Sequence, residues 1–162
     1  MNARSVVNKM QDLCTEVQVT DPDIVAISES WANKGIEDYE LKLDGYTLFR
    51  KDRALEVKGG GVLLYVKEKF NASEVKLRNQ FPEQVWCRIK TNDNREVLVG
   101  VCCRTPSENV YGNGIHENIR ELVREISCKN FVLFGDFNYR GIDWAHNCCD
   151  GCHARRYAGQ RR

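Results

Sequence analysis

At 162 residues the chain suits one domain, which at this size buries roughly 70% of its unfolded surface. Hydrophobic residues make up 42% and charged residues 29%, the balance of a globular protein rather than of a disordered or fibrous one. Net charge is +1, which excludes a broadly basic nucleic-acid binder of the kind read from bulk charge. It also hides an asymmetry. Four arginines (155, 156, 161 and 162) stand in the last twelve residues, leaving 20 of the 24 basic side chains against all 23 acidic ones.

Membership of the helical-membrane class is not expected, because no apolar run reaches the roughly 18 residues that cross a bilayer. Met1-Asn2-Ala3-Arg4-Ser5 lacks the apolar core of a signal peptide, so the expected setting is nuclear or cytoplasmic. In such a reducing compartment the eight cysteines are expected as free thiols or metal ligands rather than disulfides.

Taken in chain order, Val6, Met10, Leu13, Cys14 and Val17 fall on one face at helical spacing and predict an amphipathic helix over 4–18. Asp21-Pro22 ends it, and Asp23–Ser28 predicts a short buried strand. Tyr46–Arg50 is the next strand candidate. Gly59-Gly60-Gly61 opens another at Val62–Val66. Glu83–Ile89 and Glu96–Cys103 are two more, joined through the turn residues Asn92-Asp93-Asn94. Ile115, Ile119, Leu122, Val123 and Ile126 mark a second helix, and Phe131–Phe134 predicts a buried strand. Several strands flanked by helices predict a sheet-centred α/β or α+β domain. Beyond Trp144 the pattern changes to His146-Asn147-Cys148-Cys149-Asp150-Gly151-Cys152-His153 and an arginine-rich end without apolar periodicity. The expected organisation is a domain over 1–144 and a disordered tail over 145–162.

Two acids stand just past expected strands: Glu29 after Asp23–Ser28, and Asp136 after Phe131–Phe134 in Gly135-Asp136-Phe137-Asn138. Acids at the carboxyl ends of buried strands can line a shared crevice, and Mg²⁺ takes one or two carboxylates with water and phosphate oxygens. The bland alternative is that each caps a loop. Gly59–Gly61 does not make a Walker loop, which requires Lys and Ser/Thr after its last glycine where Val62-Leu63-Leu64 stands; a tight turn feeding a strand is expected. His146, Cys148, Cys149, Cys152 and His153 are enough ligands for zinc but lack the two separated pairs of a finger. His116 reads as a surface or capping residue.

The motifs in order are Asn2-Ala3-Arg4-Ser5 with Asn8-Lys9; Pro22-Asp23-Ile24-Val25-Ala26-Ile27-Ser28-Glu29-Ser30-Trp31; Gly45-Tyr46; Arg50-Lys51-Asp52-Arg53; and Gly59-Gly60-Gly61-Val62 with Tyr65-Val66. Glu83 with Trp86, Val99-Gly100-Val101, Arg104-Thr105-Pro106, Gly135-Asp136-Phe137-Asn138 and Ile142-Asp143-Trp144 complete them. Together they resemble the endonuclease/exonuclease/phosphatase superfamily, with the closest likeness to the endonuclease domain of non-LTR retrotransposon reverse transcriptases.

That resemblance implies a four-layer α/β sandwich, here incomplete, acting as a Mg²⁺-dependent (or Mn²⁺-dependent) DNA-nicking endonuclease. It implies that Asn2 positions the scissile phosphate, Glu29 binds the metal, Asp136 orients or activates the attacking water, and Asn138 helps hold the phosphate. Arg50, Arg53 and Arg104 are implied contacts to DNA. The implied partners are DNA and a reverse transcriptase fused in the parent protein, with self-association through exposed sheet surface. Alternatives are a phosphatase or phosphodiesterase of the same superfamily, or a non-catalytic remnant binding metal or nucleic acid.

Three departures bear on activity. Cys103 stands where the family places a tyrosine before Arg-x-Pro. No strand precedes Asn2, so Asn2 is expected on a fraying end. The family's closing Ser-Asp-His element does not occur here, and activity is expected to be weak or absent on that account.

Overall fold

A computed structural model of the chain describes residues 1–53, 59–78, 82–91, 93–104, 121–122, 124–126 and 130–138, with the backbone of 142–143 and 148–149. After a 3-10 turn at Val7–Lys9, helix α1 runs Met10–Thr20. It starts later and ends later than its hydrophobic spacing suggested. Its end is set by Asp21, which takes a left-handed conformation at φ 45° and returns its N–H to the Val17 carbonyl; Pro22 then bars further helix.

The first sheet holds β1 (Ile24–Ser28), β2 (Tyr46–Lys51) and β3 (Val62–Lys67), in the order β1-β3-β2 and antiparallel throughout. The second holds β4 (Ser73–Glu74), β5 (Gln84–Lys90), β6 (Glu96–Cys103) and β7 (Phe131–Asp136), in chain order. Its β6–β7 pair is parallel. A separate two-stranded ladder joins β8 (Ile142–Asp143) to β9 (Cys148–Cys149). The zinc candidates' side chains, His116 and the arginine-rich end lie outside the described residues.

The apolar residues sort into layers by strand alternation. In β3, Val62, Leu64 and Val66 face Val85, Cys87, Ile89, Val99, Val101 and Cys103 of the second sheet. Leu63 and Tyr65 of the same strand face Leu13 and Val17 of α1. A strand covered on both faces needs an unbroken apolar run, and Val62-Leu63-Leu64-Tyr65-Val66 supplies one. On the far face of the second sheet, Leu122 and Ile126 pack on Trp86 and Leu98. Each of those two fully buried aliphatic side chains contributes about 1.5–3 kcal/mol. The described residues lie as helix, sheet, sheet, helix, the layering of the incomplete four-layer α/β sandwich that the resemblance implied. Among the described residues no helix is long and apolar enough to cross a membrane.

Two expectations require correction. Phe131–Phe134 is a strand but not a buried one: Phe131, Val132 and Phe134 are 40%, 43% and 38% exposed. Strand β7 ends the order of its sheet, so among the described residues no strand of that sheet covers its outer side. Nor is the start of the chain frayed. The Met1 amino group donates to the Ala26 carbonyl at 2.8 Å, the Ser28 amide to the Met1 carbonyl at 2.9 Å, and the Ala3 amide to the Ser28 carbonyl at 2.9 Å. Asn2 thereby forms a parallel bridge with Ser28 beside β1.

Gly100 makes room for the tryptophan of the outer layer: a Cβ there would lie 2.3 Å from the Trp86 ring. Gly100→Ala is therefore expected to destabilise the fold by about 1–3 kcal/mol through overpacking, read as a lowered denaturant midpoint at unchanged slope.

Candidate active site

Parallel pairing and sheet packing bring three strand ends together. Cys103, the last residue of β6, is the register partner of Asp136, the last residue of β7. Across the interface, the Cys103 thiol donates to Glu29 Oε1 at 3.5 Å. Glu29 follows β1 directly. One cysteine thus stands between the two acids that the motifs singled out.

Glu29 is gripped on all sides. Its carbonyl accepts from the Ser5 amide at 3.0 Å, while the next two amides, of Ser30 and Trp31, donate to the Gly61 and Gly60 carbonyls. Glu29 and Trp31 take φ of 55° and 56°, conformations that non-glycine residues adopt only under such constraint. The side chain is equally fixed. Oε2 accepts from the Trp31 indole at 2.9 Å and from the Gly60 amide at 3.0 Å. Burial works to raise the Glu29 pKa, but the Gly60 and Trp31 donors, the Cys103 thiol and the Arg53 charge outweigh it and hold the carboxyl below its ordinary value. Burial pushes the Cys103 thiol up, with the Glu83 and Glu29 charges adding to it, so the sulfur is protonated and donates.

Asp136 also has both oxygens engaged. Asn2 Nδ2 donates to Oδ2 at 2.9 Å, and the Asn138 amide donates to Oδ1 at 3.1 Å. Asn138 is locked in turn: its Nδ2 donates to the Arg104 carbonyl at 2.6 Å, while Arg104 Nη1 donates back to the Asn138 carbonyl at 2.9 Å. Asn2, Asp136 and Asn138 therefore meet, and Asn2 is bridged by backbone to Ser28, one residue from Glu29.

The three arginines offered as DNA contacts are held by the chain itself. Arg50 donates Nε and Nη2 to Asp52, Nη1 to Asp38 and to the Ile36 carbonyl, and Nη2 again to the Asn33 carbonyl. Those bonds use all five guanidinium N–H groups, so Arg50 is a clamp on the 33–38 segment. Arg53 pairs with Glu83. Arg104 is buried against the Asn138 loop.

Among the described residues no three His, Cys, Asp or Glu side chains converge as a metal cage. The donor set nonetheless fits a hard cation. Glu29 is an anionic carboxylate whose Oε1 accepts from the Cys103 thiol, and Mg²⁺ is satisfied by one or two protein carboxylates when water and phosphate supply the other ligands. Sequence reasoning missed Trp31, Gly60 and Glu83 as parts of the site. Trp31 and Glu83 stood in the motifs without an assigned role, and a glycine amide leaves no signal in residue type.

A model of the endonuclease/exonuclease/phosphatase family matches residues 1–147. The chain belongs to that family. Solved structures agree at the level of fold. The endonuclease domain of TRAS1, a telomere-specific non-LTR retrotransposon, superposes with TM-score 0.61 at 16% identity, over 86% of this chain and 57% of that one. The AP endonuclease LMAP from Leishmania major gives 0.65 at 12% identity, over 83% and 53%. The 3′ phosphatase NExo from Neisseria, bound to product DNA hairpin, gives 0.64 at 15% identity, over 88% and 57%. The chain thus spans between half and three-fifths of the length of these structures. No curated protein sequence matches it.

Because the Glu29 carboxyl is depressed, its ionised contacts contribute stability in full above its ordinary value of 4.5 and lose it as pH falls through the lower folded value. Trp31→Phe removes one of the donors responsible. The Glu29 carboxyl is expected to titrate at a higher pH in that variant than in the parent, followed by carboxyl carbon resonance; an unmoved midpoint would show that the indole contact does not hold the charge.

Proposed function

We propose that this chain is endonuclease sequence of the non-LTR retrotransposon kind, derived from a protein that also carries a reverse transcriptase, and that it hydrolyses phosphodiester bonds in DNA with Mg²⁺ or Mn²⁺. The observation that carries the reading is the Cys103 link: it sets the carboxylate fit for a metal and the carboxylate fit for a water on either side of one residue. The retrotransposon branch rests on the motif resemblance, from Asn2-Ala3-Arg4-Ser5 to Ile142-Asp143-Trp144; the fold is shared equally with AP endonucleases and a 3′ phosphatase.

The chemistry required is the attack of water on phosphorus, forming one P–O bond and breaking the ester P–O bond, with a proton passing to the leaving oxygen. A bound Mg²⁺ held by Glu29 would neutralise charge on the phosphoryl oxygens. Asp136, fixed through both oxygens, orients the water by accepting its hydrogen bond. Asn2 and Asn138 flank Asp136 with amide groups able to face the phosphate. Arg104 keeps the Asn138 loop closed on that position. Asn2, Glu29, Asp136 and Asn138 thus carry the reaction, while Arg50, Arg53 and Arg104 hold the surfaces around it. All three histidines lie outside the described residues, so no imidazole stands among the described groups of the site.

The test is nicking of supercoiled plasmid by the purified chain with Mg²⁺ or Mn²⁺. Nicking abolished by EDTA, and reduced at least about 100-fold by Asp136→Ala, is the expected result. A folded chain that leaves plasmid intact with either metal would overturn the activity. Release of phosphate from 3′-phosphorylated DNA ends without nicking would reassign it to a phosphatase.

A further inference from the structure

We infer that Glu83 is a positioning residue for Glu29, acting across the sheet interface through the triglycine segment; the inference rests on the reading of Glu29 as the metal carboxylate. Glu83 lies just before β5, in the second sheet, and its side chain is 7% exposed. Its Oε2 accepts from the Gly61 amide at 3.0 Å, and its Oε1 is paired with Arg53 Nε. The preceding amide, of Gly60, donates to Glu29 Oε2, also at 3.0 Å. Two consecutive peptide groups therefore serve two carboxylates from opposite sheets. Whatever fixes the Gly61 amide fixes the donor that aims Glu29.

The surrounding contacts leave the segment little freedom. Gly60 and Gly61 take φ of 73° and 79°, where only glycine is unstrained. A Cβ on Gly60 would fall 2.1 Å from Arg53 Cζ, and one on Gly61 would fall 2.6 Å from Ser30 Oγ. The Arg53 guanidinium is thus laid directly on Gly60, and its charge acts on Glu29 as well as Glu83. The Glu83 backbone carbonyl accepts from the Cys103 amide at 2.9 Å, which ties the same residue to the other neighbour of Glu29. A buried ion pair is costly to desolvate, and apolar residues of similar volume could join two sheets at least as well. What an apolar pair could not do is accept the Gly61 N–H.

The experiment compares the full chain with Glu83→Gln and Arg53→Lys. The first cannot accept from Gly61 and engage Arg53 as a carboxylate does, and the second keeps the charge but loses the planar fork. Three quantities are read: Mn²⁺ affinity by electron paramagnetic resonance, hydrogen exchange of the Gly60 amide, and the Trp31 indole N–H resonance, the last two without metal. Glu83→Gln is expected to weaken Mn²⁺ binding about tenfold, speed Gly60 exchange at least tenfold and shift the indole resonance. In a Glu29→Gln background the same change is expected to leave residual Mn²⁺ binding unaltered. Unchanged affinity, exchange and resonance in a folded Glu83→Gln chain would overturn the inference. Should that variant not fold, the same three results in Arg53→Lys decide it. If the parent chain binds no Mn²⁺, the metal reading of Glu29 fails, while Gly60 exchange and the indole resonance still report whether Glu83 positions Glu29.

Discussion

Holding carboxylates between two packed sheets is the constraint on which the site depends. Glu29 and Glu83 both stand where apolar surface from the two sheets closes, and a charge there is costly unless donors meet it. Two of the donors come from the backbone. Gly60 and Gly61 present consecutive amides, Trp31 adds its indole, and Arg53 lies over the glycines as the counter-charge. Side chains at 60 and 61 would collide with Arg53 and Ser30. Backbone donors cannot rotate away from their acceptors, so Glu29 is fixed before any ligand arrives. Preorganised placement of this kind is what a hydrolytic site needs.

The same economy explains the arginines. Guanidinium forks suit phosphate, and Arg50, Arg53 and Arg104 all belong to motifs that resemble the endonuclease/exonuclease/phosphatase family. Each is instead held by this chain's own acceptors: Arg50 by two aspartates and two carbonyls, Arg53 by Glu83, and Arg104 by the Asn138 loop. Their charge acts at short range on loop geometry. Arg104 and Asn138 are reciprocal in this respect, each donating to the other's carbonyl. The loop after β7 is thereby tied to the end of β6, and Asp136 inherits that rigidity.

Strand β7 shows the opposite condition. It carries Asp136 at its end, yet Phe131, Val132 and Phe134 remain more than a third exposed, and the strand sits at the edge of its sheet. An apolar edge is prone to pair with another chain. The strand that ends in Asp136 is therefore exposed along much of its length. Among the described residues its ladder is made to β6, with a short approach at Gly135, where a Cβ would lie 2.3 Å from the Cys102 carbonyl oxygen, and its end is held from the first sheet's side by Asn2.

Much of this was legible in the residues alone. Period-two and unbroken apolar runs marked β1, β2, β3, β5 and β6 to within a residue or two, because alternation and continuous burial are local patterns. Motif order named Asn2, Glu29, Asp136 and Asn138, since each is a residue type whose chemistry is its own. The exposure of β7 was not legible: Phe-Val-Leu-Phe reads as core in any context, and only sheet order shows that it lies at an edge. The pairing of Asn2 with Ser28 depended on a partner 26 residues away, which an early chain position could not suggest. The fates of Arg50, Arg53 and Arg104 were likewise decided by acceptors brought from distant segments. The sequence by itself determined which groups could do chemistry. Tertiary structure alone decided which would be free to do it, because hydrogen bonds and burial are properties of neighbours, and those neighbours are assembled only when the sheets close.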